Sequence, residues 1–303
     1  DKCEFDAFCN VISRLEGSWA IAAIISGLDG ILISRNGAPL VIGKGADNIS
    51  VASDTLPFYG ACSQVCYMED GTNIFINKDG IIKSDRTDSL NFVLIEGVYD
   101  EMDPGIYPHM MLKEIHDQPL SLSNAFNGRI SADGKKVSLG GFKLSAEEIK
   151  KLDRINLVAC GTAYYAAAII SSYIRKYSNI RVEAFLSSEF PAKSVCSSNT
   201  LTIGISQSGE TKDTLDALMD AKKFNSHVSS ICNVIGSTIA RFTGNGAYLY
   251  AGSEYAVAST NVFTNMMAVG LMFALTISDI SDDEQASIVK EMRRLPNLIS
   301  KQL

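Results

Sequence analysis

The sequence has few histidines and no excess of positive charge, and these shortages exclude several kinds of protein. It has three histidines among 303 residues and one closely spaced cysteine pair, Cys62 and Cys66, with no second pair to complete a zinc site. The net charge of −7 argues against nucleic acid or an anionic membrane surface as the main partner. We therefore expect no metal or other cofactor, no nucleic acid and no membrane.

Long apolar runs and a regular cysteine framework are also missing. The longest apolar helical pattern, at residues 266–277, is bounded by Asn265 and Asp279 and is too short to span a bilayer. The seven cysteines are an odd-numbered, irregular set, which is typical of a reducing compartment, and no signal peptide opens the sequence. We predict a cytoplasmic protein. Its composition, 46% hydrophobic and 20% charged, is that of a globular chain long enough for about two domains.

The first part of the sequence has the pattern of antiparallel β-structure. Apolar residues at 5–15 recur at helical spacing, and two β-runs at 19–25 and 30–34 predict a hairpin. Turn residues such as Lys78-Asp79-Gly80 separate further short runs, which lie at 40–42, 49–52, 64–68, 73–76 and 81–83. One helix is too little to cover these strands, so the segment is interpreted as part of a larger α+β domain.

An acidic stretch without clear periodicity, at about residues 85–105, predicts an interdomain connection. We place one domain at residues 1–90, a linker at 91–108 and a second domain at 109–303. A helix beginning near His109 is expected to stop near Pro119, because the residue before a proline disfavours helical geometry. His109 and His116 share this helix. We favour a surface or packing role for both over metal binding or acid–base chemistry, since no carboxylate or cysteine cluster matches them.

From residue 150 onward, predicted strands alternate with helices. The strands lie at 155–160, 181–186, 201–206, 228–233 and 247–251, and the helices lie at 164–177, at 211–224 and near Ser237. This alternation predicts an α/β fold with a parallel, flavodoxin-like sheet flanked by helices. Ligands bind such sheets at the carboxyl ends of the strands. Three loops rich in Gly, Ser and Thr are expected at that edge: 160–162, 206–211 and 252–260.

The loop at residues 206–211 is the strongest candidate for a ligand site. An apolar strand enters it and a helix leaves it, so backbone N–H groups and the positive end of the helix dipole converge there. Ser206, Ser208 and Thr211 add hydroxyl groups, and Gln207 adds an amide. These groups suit a phosphate without the lysine of a Walker-type loop, whose pattern is absent. An ordinary helix N-cap is the alternative interpretation.

Four motifs together resemble the first sugar isomerase (SIS) domain of the glutamine–fructose-6-phosphate aminotransferase family. They are Ala-Cys-Gly-Thr at 159–162, Ser-Gln-Ser-Gly-Glu-Thr at 206–211, Ile-Cys-Asn-Val with Gly-Ser at 231–237, and Val-Ala-Ser-Thr at 257–260. Residues 35–43 and 51–54 resemble later strands of the N-terminal-nucleophile glutaminase domain of that family. The resemblance implies the formation of glucosamine-6-phosphate from fructose-6-phosphate and glutamine. It also implies a homodimer.

The resemblance assigns ligand contacts residue by residue. Phosphate contacts fall to Ser206, Gln207, Ser208 and Thr211, and sugar contacts fall to Thr162 and to the backbone near Val257 and Ser259. Two positions depart from the family pattern: Ala163 stands where a serine commonly follows the Gly-Thr pair, and Asn261 stands where a lysine commonly follows Val-Ala-Ser-Thr. A lost neutral hydrogen bond costs about 1 kcal/mol, so Ala163 should weaken the site without abolishing it.

The same resemblance implies that the catalytic groups of the family lie outside this sequence. Family members hydrolyse glutamine with an N-terminal cysteine whose own α-amino group is the base, whereas Cys3 follows two other residues. Residues 293–297 resemble the segment that precedes a second SIS domain. We therefore assign no catalytic residue. Glu210 is expected to be a helix-start carboxylate favoured by the helix dipole, and Glu254 a loop-ordering group that accepts backbone hydrogen bonds, rather than groups that transfer protons.

Three functions are consistent with these features. The first is part of a hexosamine-forming aminotransferase, in which this chain supplies the binding of fructose-6-phosphate or glucose-6-phosphate. The second is a free-standing SIS sensor of sugar phosphates without catalysis. The third is a structural or interaction module with a vestigial site.

Overall fold

The computed structural model describes residues 2–303 except 47, 54, 59, 78–81, 86–89 and 96–102. The predicted turn at 78–80, the motif residue Asp54 and part of the predicted linker lie outside the described residues. The chain divides into two compact units, Asp1–Glu101 and Met102–Leu303. The predicted domain boundaries at 90 and 108 stay predictions.

The first unit consists of antiparallel sheets and a helix. Its elements are α1 (Lys2–Ile12), β1 (Trp19–Ala23), β2 (Gly30–Asn36), β3 (Val41–Lys44), β4 (Ile49–Ala52), β5 (Gln64–Tyr67), β6 (Thr72–Asn77), β7 (Ile82–Ser84) and β8 (Val93–Leu94). One sheet has the order β1-β2-β6-β7 and the other the order β4-β3-β5-β8. The predicted hairpin is present as the antiparallel pair β1 and β2. Strand β8, inside the stretch predicted as linker, pairs with β5.

Apolar side chains lie on both faces of the first sheet. Leu32 of β2 and Phe75 of β6 pack with Phe5 of α1. Their neighbours along the strands, Ile33 and Ile74, pack instead with residues of the second sheet. Since successive side chains of a strand point to opposite faces, the first sheet lies between the helix and the second sheet.

The second unit is built on a parallel sheet of five strands in the order β10-β9-β11-β12-β13. The strands are β9 (Arg154–Ala159), β10 (Arg181–Leu186), β11 (Thr200–Ser206), β12 (His227–Cys232) and β13 (Gly246–Tyr248). The helices are α2 (Met110–Phe126), α3 (Ala146–Lys151), α4 (Gly161–Tyr177), α5 (Ala192–Val195), α6 (Lys212–Lys223), α7 (Thr238–Thr243), α8 (Asn261–Thr276), α9 (Asp282–Met292) and α10 (Leu295–Ser300). The parallel sheet with flanking helices confirms the predicted α/β class.

Helices cover both faces of this sheet. On one face Leu157 packs into the core with Ile170 of α4, and on the other Val158 packs with Leu218 of α6. Helix α8 approaches α4 closely at Gly270, where a Cβ atom would lie 2.2 Å from Ile170. No helix within the described residues is long and apolar enough to cross a bilayer.

The prediction that the first helix of this unit stops near Pro119 is wrong, because α2 continues to Phe126. Proline removes one backbone N–H, which leaves the carbonyl group of Ile115 without its helical donor. The side chain of Gln118 replaces that donor at 2.9 Å. Beyond the proline, Leu122 is fully buried in the core. Tertiary packing therefore overrides the local signal.

Candidate functional site

The three predicted loops meet around one cavity at the carboxyl edge of the sheet. Its volume is about 240 Å³, and its lining is Cys160, Thr162, Ala163, Ile205, Ser206, Gln207, Ser208, Thr211, Glu254, Ala256, Val257, Ser259 and Met266. The loops meet because β9 and β11 are adjacent parallel strands that end side by side. All the residues predicted to bind ligand are in this lining. Their role in binding stays a prediction.

The turn after β11 is held together by its own hydroxyl groups. The Oγ atom of Ser206, a residue only 3% exposed, accepts a hydrogen bond from the N–H of Gly209 at 2.9 Å. The same Oγ atom lies 2.9 Å from Oγ1 of Thr211. The N–H of Glu210 donates to Oγ of Ser208 at 3.1 Å. The turn is thus fixed in shape before any ligand binds.

Thr211 precedes the first residue of α6 but is not an ordinary N-cap. Its side chain makes no capping hydrogen bond to the helix, since its hydroxyl group lies against Ser206 instead. Cys160 precedes α4 and likewise makes no side-chain capping bond. Two helices therefore begin at this cavity without a side-chain cap, and their first N–H groups carry partial positive charge.

Gly209 is the residue that the turn requires. Its φ angle is +67°, a conformation that side chains with a Cβ atom rarely adopt. A Cβ atom at this position would also lie 2.0 Å from Oγ of Ser237. The carbonyl group of Gly209 accepts from the N–H of Ile239 at 2.9 Å. The turn therefore packs closely against the start of α7.

Glu210 is a helix-start carboxylate, as expected, but the helix is α7 rather than the one that follows it in sequence. Its Oε1 accepts from the N–H of Thr238, the first residue of α7, at 2.9 Å. A carboxylate at this end of a helix interacts favourably with the helix dipole. Glu210 is also not part of the cavity lining.

Glu254 orders the third loop. Its Oε1 accepts from Oγ of Ser259 and from the N–H of Thr260, both at 3.0 Å. These contacts confirm the expectation that Glu254 is a loop-ordering group. Burial raises the pKa of this carboxyl group above its ordinary value of 4.5, although the two hydrogen bonds oppose the shift.

Sequence reasoning missed Glu114 of α2, which holds the same loop from the other side. Its side chain is buried, at 1% exposure, and its Oε1 accepts from the N–H groups of Tyr255 at 2.7 Å and Ala256 at 3.0 Å. Its Oε2 has no hydrogen-bond partner among the described residues. The available signal was helical spacing. Glu114 lies seven and eight residues before Ser121 and Leu122, which places all three on the buried face of α2.

We expect Glu114→Ala to loosen the loop at residues 252–260. The change leaves two backbone N–H groups without an acceptor, at a cost of about 2 kcal/mol or more in the free energy of unfolding. Urea unfolding measures the cost, and amide hydrogen exchange at Tyr255 and Ala256 locates it. Asp117→Ala, at a half-exposed position of the same helix where the carboxylate pairs with Lys113, is the matched control and should leave the exchange at both amides unchanged. Unchanged exchange at both amides in Glu114→Ala would contradict the prediction.

We also expect the free energy of unfolding to depend on pH through the titration of Glu254. Because its pKa in the folded protein lies above 4.5, the folded state binds this proton more tightly than the unfolded state does. The contribution of Glu254 to the free energy of unfolding therefore falls as the pH rises from 4.5 through the folded pKa.

Glu254→Gln removes that titration, so its stability should fall less than that of the wild type over the same pH window. Urea midpoints measured from acidic to neutral pH provide the test. The exposed Glu147→Gln is the control and should keep the wild-type fall. A fall of the same size in Glu254→Gln would show that another group causes it.

The remaining polar candidates have structural contacts. Nδ1 of His109 accepts from the N–H of Leu112 at 3.2 Å and so caps α2. His116 stacks on Tyr107 at 4.8 Å between ring centroids. Neither histidine lines the cavity, in agreement with the surface or packing role that we predicted. Asn261 is 2% exposed and donates to the carbonyl group of Ala251 at 3.2 Å, so it faces the interior.

Comparison with known proteins agrees with this architecture. Residues 148–276 match the SIS domain family. The glutamine–fructose-6-phosphate aminotransferase (isomerizing) of Clostridium acetobutylicum is 35% identical over 300 residues, which are 96% of this chain and 49% of that protein. The protein of the same name from Thermotoga maritima is 35% identical over 303 residues, 97% of this chain and 50% of that protein.

A solved structure is also similar. It is the C-terminal domain of glucosamine-fructose-6-phosphate aminotransferase from Francisella tularensis, with a TM-score of 0.59 and 34% identity over 65% of this chain and 56% of that one. The chain spans about half the length of the curated relatives it matches. It therefore carries a SIS domain and is related, along nearly its whole length, to about half of a glutamine–fructose-6-phosphate aminotransferase.

Proposed function

We propose that the cavity binds a hexose phosphate, either fructose-6-phosphate or glucose-6-phosphate. The observation that carries this proposal is the convergence of the Ser206, Ser208 and Thr211 hydroxyl groups with the uncapped start of α6 on one cavity. A phosphate dianion accepts hydrogen bonds from such groups and is favoured by the positive end of the helix dipole. No lysine or arginine is in the described lining, so neutral donors and helix dipoles supply the attraction.

The other side of the cavity is suited to the sugar. Thr162, in the first turn of α4, offers a hydroxyl group, and the loop that carries Val257 and Ser259 offers backbone groups. Glu114 and Glu254 hold this loop in place from two directions. Ala163 contributes a methyl group where the family commonly has a hydroxyl, so we expect weaker contacts to the sugar than in family members with serine.

We infer that the chain supplies this binding site to a hexosamine-forming aminotransferase, with the first unit as part of a glutaminase domain. The similarity to enzymes of that name supports the inference, because it extends over 96% of the chain and so includes the first unit. The homodimer, implied by the resemblance, and the cytoplasmic location, predicted from the cysteine content, both stay predictions.

We further infer that the chain binds the sugar phosphate without isomerising it. Isomerisation moves a proton between adjacent carbons and needs a group that can take and give it. The titratable side chains in the lining are Cys160 and Glu254. The Oε1 of Glu254 already accepts two hydrogen bonds from its own loop, and the Sγ of Cys160 lies 3.9 Å from the Thr214 hydroxyl.

Calorimetric titration with fructose-6-phosphate and with fructose tests the binding proposal. We expect the phosphorylated sugar to bind more than about tenfold more tightly, since charge-assisted hydrogen bonds to phosphate contribute more than about 1.4 kcal/mol. Equal affinities would contradict a phosphate site.

Glucosamine-6-phosphate formation from fructose-6-phosphate and an ammonium salt should stay at background. Turnover that disappears in Glu254→Gln would overturn the inference of binding alone.

A further inference from the structure

A second and larger cavity lies at the opposite edge of the same sheet. Its volume is about 600 Å³, and the first residues of three neighbouring strands, Arg154, Arg181 and Thr200, line it. Residues 194–197, at the end of α5, form another wall. At about 3.3 Å per residue, the length of the strands places this cavity about 20 Å from the carboxyl-edge cavity. The two cavities share no residue.

Two arginines stand side by side in this cavity. Arg154 and Arg181 are register partners on adjacent parallel strands, so their side chains leave the sheet on the same face. The side chain of Arg154 is only 17% exposed, and its Nη2 lies 3.5 Å from Oε2 of Glu183, longer than a good charged hydrogen bond. Arg181 makes no ion pair within the part of the chain that the structure describes.

The rest of the lining adds hydrogen-bonding groups. Ser194 and Ser197 contribute hydroxyl groups, and Asn179 contributes an amide. The Oγ of Ser197 lies 3.0 Å from Oγ1 of Thr200, which fixes its position at the cavity wall. The carboxylate in the lining is Asp153, which could accept from a hydroxyl group of a ligand. Two guanidinium groups therefore share the lining with one carboxylate, while two carboxylates outside the lining, Glu183 and Asp279, lie 3.5 Å from Arg154 and Asn179.

We propose that this amino-edge cavity binds a second small anion of the phosphate class, separate from the hexose phosphate. Two neighbouring guanidinium groups match the oxygen atoms of a phosphate or pyrophosphate group, and the volume leaves room for a polar group attached to it. Cys196, the thiol in the lining, is held neutral because burial raises its pKa, so the cavity contains no activated nucleophile. This is a binding site without chemistry, and it does not depend on the function of the other cavity.

The test is a titration of the full chain with inorganic pyrophosphate, followed by NMR signals of backbone amides. We expect two groups of shifted amides, one at residues 194–200 and one at 206–211. The double variant Arg154→Ala/Arg181→Ala should lower the pyrophosphate affinity measured from the first group about tenfold or more and leave that measured from the second group unchanged. Ser206→Ala/Thr211→Ala should do the reverse, which separates failure of this proposal from failure of the proposed function.

Two further variants make the result decisive. Lys290→Ala/Lys301→Ala removes the same charge at exposed positions outside both cavities and should leave the 194–200 shifts unchanged. Arg181→Gln changes one exposed side chain only, so it tests the site even if loss of the more buried Arg154 unfolds the protein. The proposal would be overturned if pyrophosphate caused no shifts at 194–200 in the wild type. It would also be overturned if the affinity measured there were unchanged in Arg181→Gln, or if it fell as much in the lysine variant as in the double arginine variant.

Discussion

Replacing both Ser206 and Thr211 by alanine is expected to weaken the binding of fructose-6-phosphate about 100-fold, since two hydrogen bonds to a charged group contribute about 3 kcal/mol or more. The loss has a second source, because Oγ of Ser206 also accepts from the N–H of Gly209 and so shapes the turn. Calorimetric titration of the double variant measures the effect directly.

Two controls identify the lost interaction as one with phosphate. The weak affinity for unphosphorylated fructose should be nearly the same in the double variant and the wild type. Ser172→Ala removes an exposed hydroxyl group of α4 that bonds only to its own helix, and it should leave both affinities unchanged. If the affinities for both sugars fell equally, Ser206 and Thr211 would support the shape of the cavity rather than bind the phosphate.

Gly209→Ala is expected to lower the free energy of unfolding of the second unit by about 3 kcal/mol and to eliminate binding of the sugar phosphate. The left-handed conformation accounts for about 1–2 kcal/mol of this cost. The rest comes from overlap with Ser237, since the new Cβ would lie 2.0 Å from its Oγ and 2.5 Å from its Cβ. Urea unfolding and calorimetry measure the two effects.

Gly244→Ala is the matched control for this change. Gly244 has a φ angle of +56°, and a Cβ atom there would meet nothing within 4 Å. Its cost should therefore be the conformational part alone, about 1–2 kcal/mol, with binding retained. Equal costs in the two variants would show that crowding against Ser237 adds nothing, and retained binding in Gly209→Ala would place the ligand elsewhere.

Most strands of both units and the longer helices α4 and α6 could be predicted from the sequence because their signals are local, whereas β8, α3, α5, α9 and α10 were not predicted. Strand and helix periodicity, with Gly and Asn at the turns, located the strands to within a few residues. The rule that ligands bind at the carboxyl ends of parallel strands then grouped Thr162, Ser206 and Ser259, which the structure places around one cavity. The end of α2 could not be predicted, because Gln118 and the packing of Leu122 offset the effect of Pro119.

The contacts that complete the site depend on pairings between distant residues. Nothing in the sequence around Glu114 indicates that its acceptor oxygen meets the N–H of Tyr255, a residue 141 positions away. The neighbouring guanidinium groups of Arg154 and Arg181 likewise follow from strand order and register, which periodicity does not specify. Sequence reasoning therefore located the loops of the site but missed what holds them.

The bond between Glu114 and the Tyr255 loop also has a consequence for how the protein reaches its native state. During synthesis the helix that carries Glu114 is made before the loop that carries Tyr255, which lies 141 residues later. The carboxylate therefore stays solvated until that loop has been made and can bind it. Contacts between residues so far apart in sequence form late, because closing the intervening chain costs entropy. In a refolding experiment, the ability to bind sugar phosphate should therefore appear with the slowest folding phase, after the secondary structure has formed.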